Sequence, residues 1–254
     1  MIWEELNTRQ ISELDKNLPV MVNLSATEQH GNHLPLGTDR MIGDYFCRKL
    51  EERISDQILI LPNLAIGYSR HHMDFSGTLS LSHETLISQL KEITDSVFSH
   101  GFTKFILFNS HGGNQALGQV YVEQMGHRYP HGHFVMINWF RLAVEKLRTL
   151  SESGPGGAGH GGEMETSLML HIAPHLVSKE FIEDKKNTST FPWAEGDLFG
   201  GAEASYYRSM RSMTPNGIYG DPRFASAGKG AEIEKVVLER LEEIVGDIGG
   251  ISSE

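Results

Sequence analysis

Residues 18–40 read LPVMVNLSATEQHGNHLPLGTDR: an apolar run, a polar loop and the opening of a helix. The run 18–24 is short and rich in strand formers, so it predicts a buried strand ending near Ser25. Gly31 and Pro35 break regular structure and turn the chain, and Thr38 and Asp39 then open a helix predicted over 39–53. This strand–loop–helix unit sets an α/β reading for the whole chain. It also carries Glu28, His30, His33 and Asp39 in about a dozen residues, and Glu, His and Asp are side chains that hold Zn²⁺ and related ions. In extended backbone Glu28 and His30 project to one face. They sit just past the strand's carboxyl end, where open α/β sheets place their sites. A lone Glu-x-His pair also occurs in ordinary loops, and a lone Asp39 suits a helix N-terminus through the macrodipole, so the rest of the chain has to decide.

Outward from that unit the alternation continues. Strands are predicted at 57–61 (QILIL, closed by Pro62), 104–108 (KFILF) and 134–138 (FVMIN). Helices fall between them: one capped by Ser82 with Leu86, Leu90, Ile93 and Val97 on one face, ending at Gly101, and one from the turn 109–114 to about Arg128. A short amphipathic helix is expected within 2–14. β-α-β-α-β-α-β alternation predicts a mostly parallel sheet covered on both faces. The loop 66–81 is long and polar, with His71 and His72, and such loops are often functional. Residues 151–162 (SESGPGGAGHGG) hold six glycines and exclude helix or central strand. A helix is expected over 163–172, stopped by Pro174. Residues 178–216 read as irregular apart from a helical turn near 202–208, and a last helix is expected over 225–248, its core stripe made of Ile233, Val237, Leu241, Ile244 and Ile248.

Composition narrows the function. A chain of 254 residues with no Pro- or Ser-rich divider is read as one domain, 1–254. There are 22 basic and 33 acidic residues, net −11, which argues against a nucleic-acid or anionic-membrane partner and suits a small-molecule substrate. The single cysteine, Cys47, fits a reducing cytoplasm. No apolar run approaches a membrane span, and residues 1–10 lack signal-peptide character. The glycine turns match neither GxGxxG nor GxxxxGK[ST], which leaves a phosphate-loop reading unsupported.

Two further blocks converge on the first. His111 follows the strand 104–108 as Glu28 and His30 follow theirs, and in a parallel sheet both ends open on one edge. His160 and Glu163 close the glycine loop. Glu165 lies two positions on, about 200° around the helix from Glu163. The stripe Met164, Leu168, Ile172 is read as core, so Glu163 is chosen to face the site and Glu165 is left for a supporting or capping role. His160, on flexible backbone beside the ions, is the candidate proton shuttle because imidazole titrates near neutrality.

The blocks TEQHGNHLPLGTD (27–39), NSHGGN (109–114) and HGGEMETS (160–167), with HHMDFSGTLSL (71–81), resemble the creatininase family of metal-dependent amidohydrolases. The resemblance implies an α/β/α sandwich and a dinuclear centre of Zn²⁺ with a second Zn²⁺ or Mn²⁺ (Fe²⁺ being a further option). It also implies a homohexamer. By motif, Glu28, His30, Asp39 and His111 match metal ligands, with Asp39 the bridging carboxylate, and His160 matches the catalytic histidine. Members that open creatinine carry a Glu two residues after the third-motif His, where this chain has Gly113. Glu163 is expected to fill the vacated ligand position. Family chemistry extends to formamides, peptide precursors and carbocyclic ketones, so the substrate stays open. Trp139, Trp193 and His72 are candidates for substrate contact. A metal-binding module without catalysis is the alternative of another class, and His160 argues for an enzyme.

Overall fold

The computed structural model describes residues 1–252. Four strands form one parallel sheet: β1 (Val20–Leu24), β2 (Leu59–Ile60), β3 (Lys104–Asn109) and β4 (His133–Asn138), in the order β2-β1-β3-β4. Val20 lies opposite Phe105, and Leu24 opposite Asn109, so β1 and β3 end level with one another. Eight α-helices surround the sheet among the described residues: α1 (Thr8–Glu13), α2 (Thr38–Ile54), α3 (His83–Ser99), α4 (Gln115–Arg128), α5 (Val144–Leu150), α6 (Glu163–Ile172), α7 (Met210–Met213) and α8 (Ala227–Gly249).

The strand pleat sorts the core into two layers. Met21, Ile106, Phe108 and Ile137 point to the side covered by α2, α5, α6 and α8. Val20, Val22, Leu24, Phe105 and Leu107 point to the side covered by α3 and α4. Because both faces are buried, the strands read as continuous apolar runs rather than as alternating ones. The result is the three-layer α/β/α sandwich expected. The chain leaves β1 for α2 on one face and β3 for α4 on the other, which opens a crevice between the carboxyl ends of these neighbouring strands.

Local signals account for most boundaries. Ser82 caps α3 by accepting from the Thr85 amide, and Ser226 caps α8 by accepting from the Lys229 amide. Two elements differ from expectation. The segment 202–208 is not helical, and the short α7 follows it instead. α5 is an addition: it is seven residues long and starts after Ala143 in the left-handed region at φ 52°, with no side-chain cap to announce it. Among the described residues no helix is long and apolar enough to cross a membrane.

Candidate metal centre

Three segments meet in the crevice: the loop after β1, the turn after β3, and the glycine loop leading into α6. Glu28, His30, Asp39, His111 and Glu165 are all buried there. His111 Nδ1 is 3.2 Å from Glu28 Oε1 and 3.2 Å from Asp39 Oδ2. His30 Nε2 is 3.2 Å from the other Asp39 oxygen, Oδ1, and 3.9 Å from Glu165 Oε2. Asp39, in the first turn of α2, thus divides its two oxygens between two groups of donors.

The histidines are held for this by their other nitrogens. His111 Nε2 donates to the Tyr68 carbonyl at 3.0 Å, and His30 Nδ1 donates to the Glu28 carbonyl at 3.1 Å. Each leaves its second nitrogen turned to the carboxylates, where it can hold either a proton or an ion, the arrangement that orients imidazole ligands. Both oxygens of Glu28 and Oδ2 of Asp39 are buried and accept no hydrogen bond. A buried carboxylate without a partner is costly, so these orphaned atoms, with a donor set of imidazole and carboxylate only, fit divalent ions of the zinc or manganese kind.

The electrostatics agree. Burial pushes Glu28 up, but His111 and His72 hold its carboxyl well below the usual range. Burial opposes a charge on His30, yet Asp39 raises it to about 9, and Glu28 and Asp39 raise His111 well above its ordinary value. Burial lifts Glu165 to about 7. The three carboxylates therefore draw protons onto the facing histidines, a demand for positive charge that cations meet.

His160 lies beside this group. Its Nε2 donates to the Gln29 carbonyl at 2.6 Å, which leaves Nδ1 as an acceptor 3.5 Å from Glu28 Oε1. Burial and the nearby His30 hold it well below its ordinary value, as a neutral base. His72 also joins the centre, its ring 4.3 Å from that of His160.

Glu163 is placed elsewhere, which corrects the expectation that it faces the site. Its carboxylate pairs with Lys229 of α8 and accepts from Ser151 Oγ at 2.8 Å and from the Glu152 amide at 2.9 Å. Glu165 takes the position beside His30, held by the Gly161 amide at 2.6 Å. The reason is that α6 is buried all round from Glu163 to Leu170, so the stripe 164/168/172 marks no single core face. Trp139 is likewise no substrate contact: it is fully buried in the core, 6.0 Å from Phe46. Trp193 lies on the outside, stacked on Phe191 at 5.0 Å. Gly113 has a steric reason. A Cβ there would lie 2.4 Å from His111 Nε2 and 2.5 Å from the Tyr68 oxygen, so no side chain fits.

With the geometry established, comparison with known proteins is informative. The family model described as "Creatininase: Creatinine amidohydrolase" matches residues 4–245. This chain belongs to the creatininase family. It is a creatininase-family hydrolase. Among relatives, the mycofactocin precursor peptide peptidase of Mycobacterium ulcerans is 29% identical over 259 residues, covering 96% of this chain and 90% of that protein. The 3-dehydro-scyllo-inosose hydrolase of Thermotoga maritima is 24% identical over 266 residues, covering 97% and 83%. The structure of a creatininase point mutant of Zn–Zn type superposes with a TM-score of 0.83 at 23% identity, covering 98% of each chain, which establishes the fold.

Proposed function

We propose that this creatininase-family hydrolase is a metal-dependent amidohydrolase that cleaves an amide C–N bond, cyclic or open, in a small molecule. The observation that carries the reading is the division of Asp39's two oxygens between His111 with Glu28 on one side and His30 with Glu165 on the other. That arrangement supports two ions sharing one bridging carboxylate. Zn²⁺ is proposed for one position and Zn²⁺ or Mn²⁺ for the other, with Fe²⁺ open, and the Zn–Zn form of a neighbour with this fold supports the assignment.

When bound, such ions lower the pKa of water from about 15.7 towards 7 and polarise a carbonyl. The chain's own part is positional. Glu28, His30, Asp39, His111 and Glu165 hold the centre in a water-poor crevice. His160 Nδ1, with its lone pair turned inwards, takes the proton of the attacking water and delivers it to the leaving nitrogen. Replacing His160 with alanine is expected to leave metal content intact and to lower kcat by roughly 10²–10⁴-fold. Undiminished turnover would remove His160 from the proton-shuttle role.

Metal uptake is expected to displace protons from His30 and His111, because both are raised in the metal-free protein. Metal affinity therefore falls as pH is lowered below about 9, where a cation must compete with a proton at His30, and His111, also raised, acts in the same sense. A zinc titration in weak buffer reads this directly as acid release. A titration with no release would mean that these rings are not ligands.

The substrate is to be found with the metal-loaded protein and a panel of creatinine, other cyclic amides, formamides, short peptides and carbocyclic ketones. Hydrolysis of a ketone alone would overturn the amide reading, and the inosose hydrolase relative keeps that class in the panel. A single domain over 1–254, a cytoplasmic location and a homohexamer complete the proposal. Cys47, free and buried, is consistent with a reducing compartment. The exposed aromatics Phe191, Trp193 and Tyr206 offer apolar area to a subunit contact.

A further inference from the structure

The amide of Gln29 decides what His72 can do. Gln29 lies between Glu28 and His30, and its side chain is buried. Its Oε1 accepts from the Gly31 amide at 3.0 Å, and its Nε2 donates to the Gly217 carbonyl at 3.0 Å. A backbone N–H can only donate and a carbonyl can only accept, so these two contacts fix which end of the amide is which. Gly217 permits the approach, since a Cβ there would lie 2.0 Å from Gln29 Oε1. The second Nε2 hydrogen points at His72 Nδ1, 2.8 Å away. The nearby His160 Nε2 cannot compete for it, because that nitrogen already donates to the Gln29 carbonyl. An amide N–H facing Nδ1 requires a lone pair there. His72 is therefore neutral, with its one proton on Nε2.

That proton faces the centre. His72 Nε2 lies 3.4 Å from Glu28 Oε1, an oxygen that accepts no hydrogen bond. A nitrogen that carries a proton offers no lone pair to an ion, and it cannot act as a base. What remains is a fixed, uncharged donor at the edge of the carboxylate group, the kind of group that stabilises negative charge developing on a substrate oxygen.

We propose that His72 is a hydrogen-bond donor to the oxygen of the scissile carbonyl and that Gln29 is the positioning residue that holds it in the Nε2–H tautomer. The proposal deepens the amidohydrolase reading and rests on it for the identity of the oxygen, but the tautomer itself is tested without any substrate. In zinc-loaded protein with ¹⁵N-labelled histidine, two-bond ¹H–¹⁵N correlations are expected to show His72, assigned by its absence in His72→Gln, with a bare Nδ1 and a protonated Nε2. A protonated Nδ1, an imidazolium, or zinc on Nε2 would overturn the proposal. Gln29→Glu, whose carboxylate can only accept, is expected to move the proton to Nδ1, and an unchanged tautomer in the folded variant would remove Gln29 from its role.

Kinetics give the second readout once a substrate is in hand. His72→Phe is expected to keep both ions and to lose about 10²–10³-fold in kcat with little change in KM, the cost of one such donor. His72→Gln, which retains an N–H donor, is expected to recover part of that loss. Loss of an ion in either variant, or equal activity of the two, would refute the donor role. If the whole panel of amides fails while the tautomer is as stated, the fault lies with the substrate class and not with His72.

Discussion

Asp39→Ala is expected to release both ions and to abolish turnover. The basis is geometric: Oδ1 is 3.2 Å from His30 Nε2 and Oδ2 is 3.2 Å from His111 Nδ1, so one carboxylate serves both halves of the centre. In the proposed two-ion centre, removing it would take a ligand from each ion at once. It would also take away the negative charge that offsets the mutual repulsion of the dications. Loss of an outer-shell partner already costs about 10–100-fold in metal affinity, and a shared direct ligand should exceed the upper end of that range. Metal analysis after gel filtration measures the effect. Two equivalents retained by the folded variant would remove Asp39 from the bridging role. Glu165→Ala is expected to empty the His30 side preferentially, since Glu165 lies beside His30 and not beside His111.

Glu163→Ala is expected to act on stability and leave the centre alone. Glu163 is wholly buried, and its carboxylate ties the start of α6 to Lys229 at the start of α8 and to the segment 151–153. Lys229 is half-buried, with Glu152 and the Phe224 carbonyl as its other partners. Deleting Glu163 leaves the Lys229 charge to the exposed Glu152 alone, and breaking a buried pair costs up to about 3–5 kcal/mol. For a chain of this size that corresponds to a fall in Tm of about 6–20 °C. Calorimetry reads the shift, and metal analysis of the folded fraction should show normal occupancy. Glu163→Met with Lys229→Met is expected to recover most of the loss, because the pair then leaves no uncompensated charge. An unchanged Tm, or a folded variant lacking one ion, would return Glu163 to the metal centre.

The contrast between these two acids shows where reading the sequence stopped. The helix over 163–172 was legible from its apolar spacing and from Pro174, and an acid from its first turn was expected at the site. Which acid was a question of helical phase, and phase is legible only when one face of a helix is wet. α6 is enclosed on all sides, so apolar spacing carried no orientation. The residue that claims Glu163 lies 66 positions away on another helix. Nothing local to 160–167 announces it. Trp139 failed as a substrate contact for a related reason: a tryptophan after a strand end points to the crevice or to the core depending on neighbours such as Phe46, which are remote in sequence. Gln29 carries no local signal, because its role resides in its contacts with Gly31, His72 and Gly217.

From its residues alone the chain declared a mostly parallel α/β sheet, the ends of β1 and β3 as the candidate site's edge, and Glu28, His30, Asp39, His111 and His160 as candidate site residues. Those expectations depend on periodicity and on motif spacing within single strand–loop–helix units, and both are local properties of a covalent chain. Tertiary structure decided that Glu165 rather than Glu163 completes the group, and how each imidazole is turned. Those choices follow from which buried donor meets which buried acceptor, and such pairings exist only once distant segments have packed against one another.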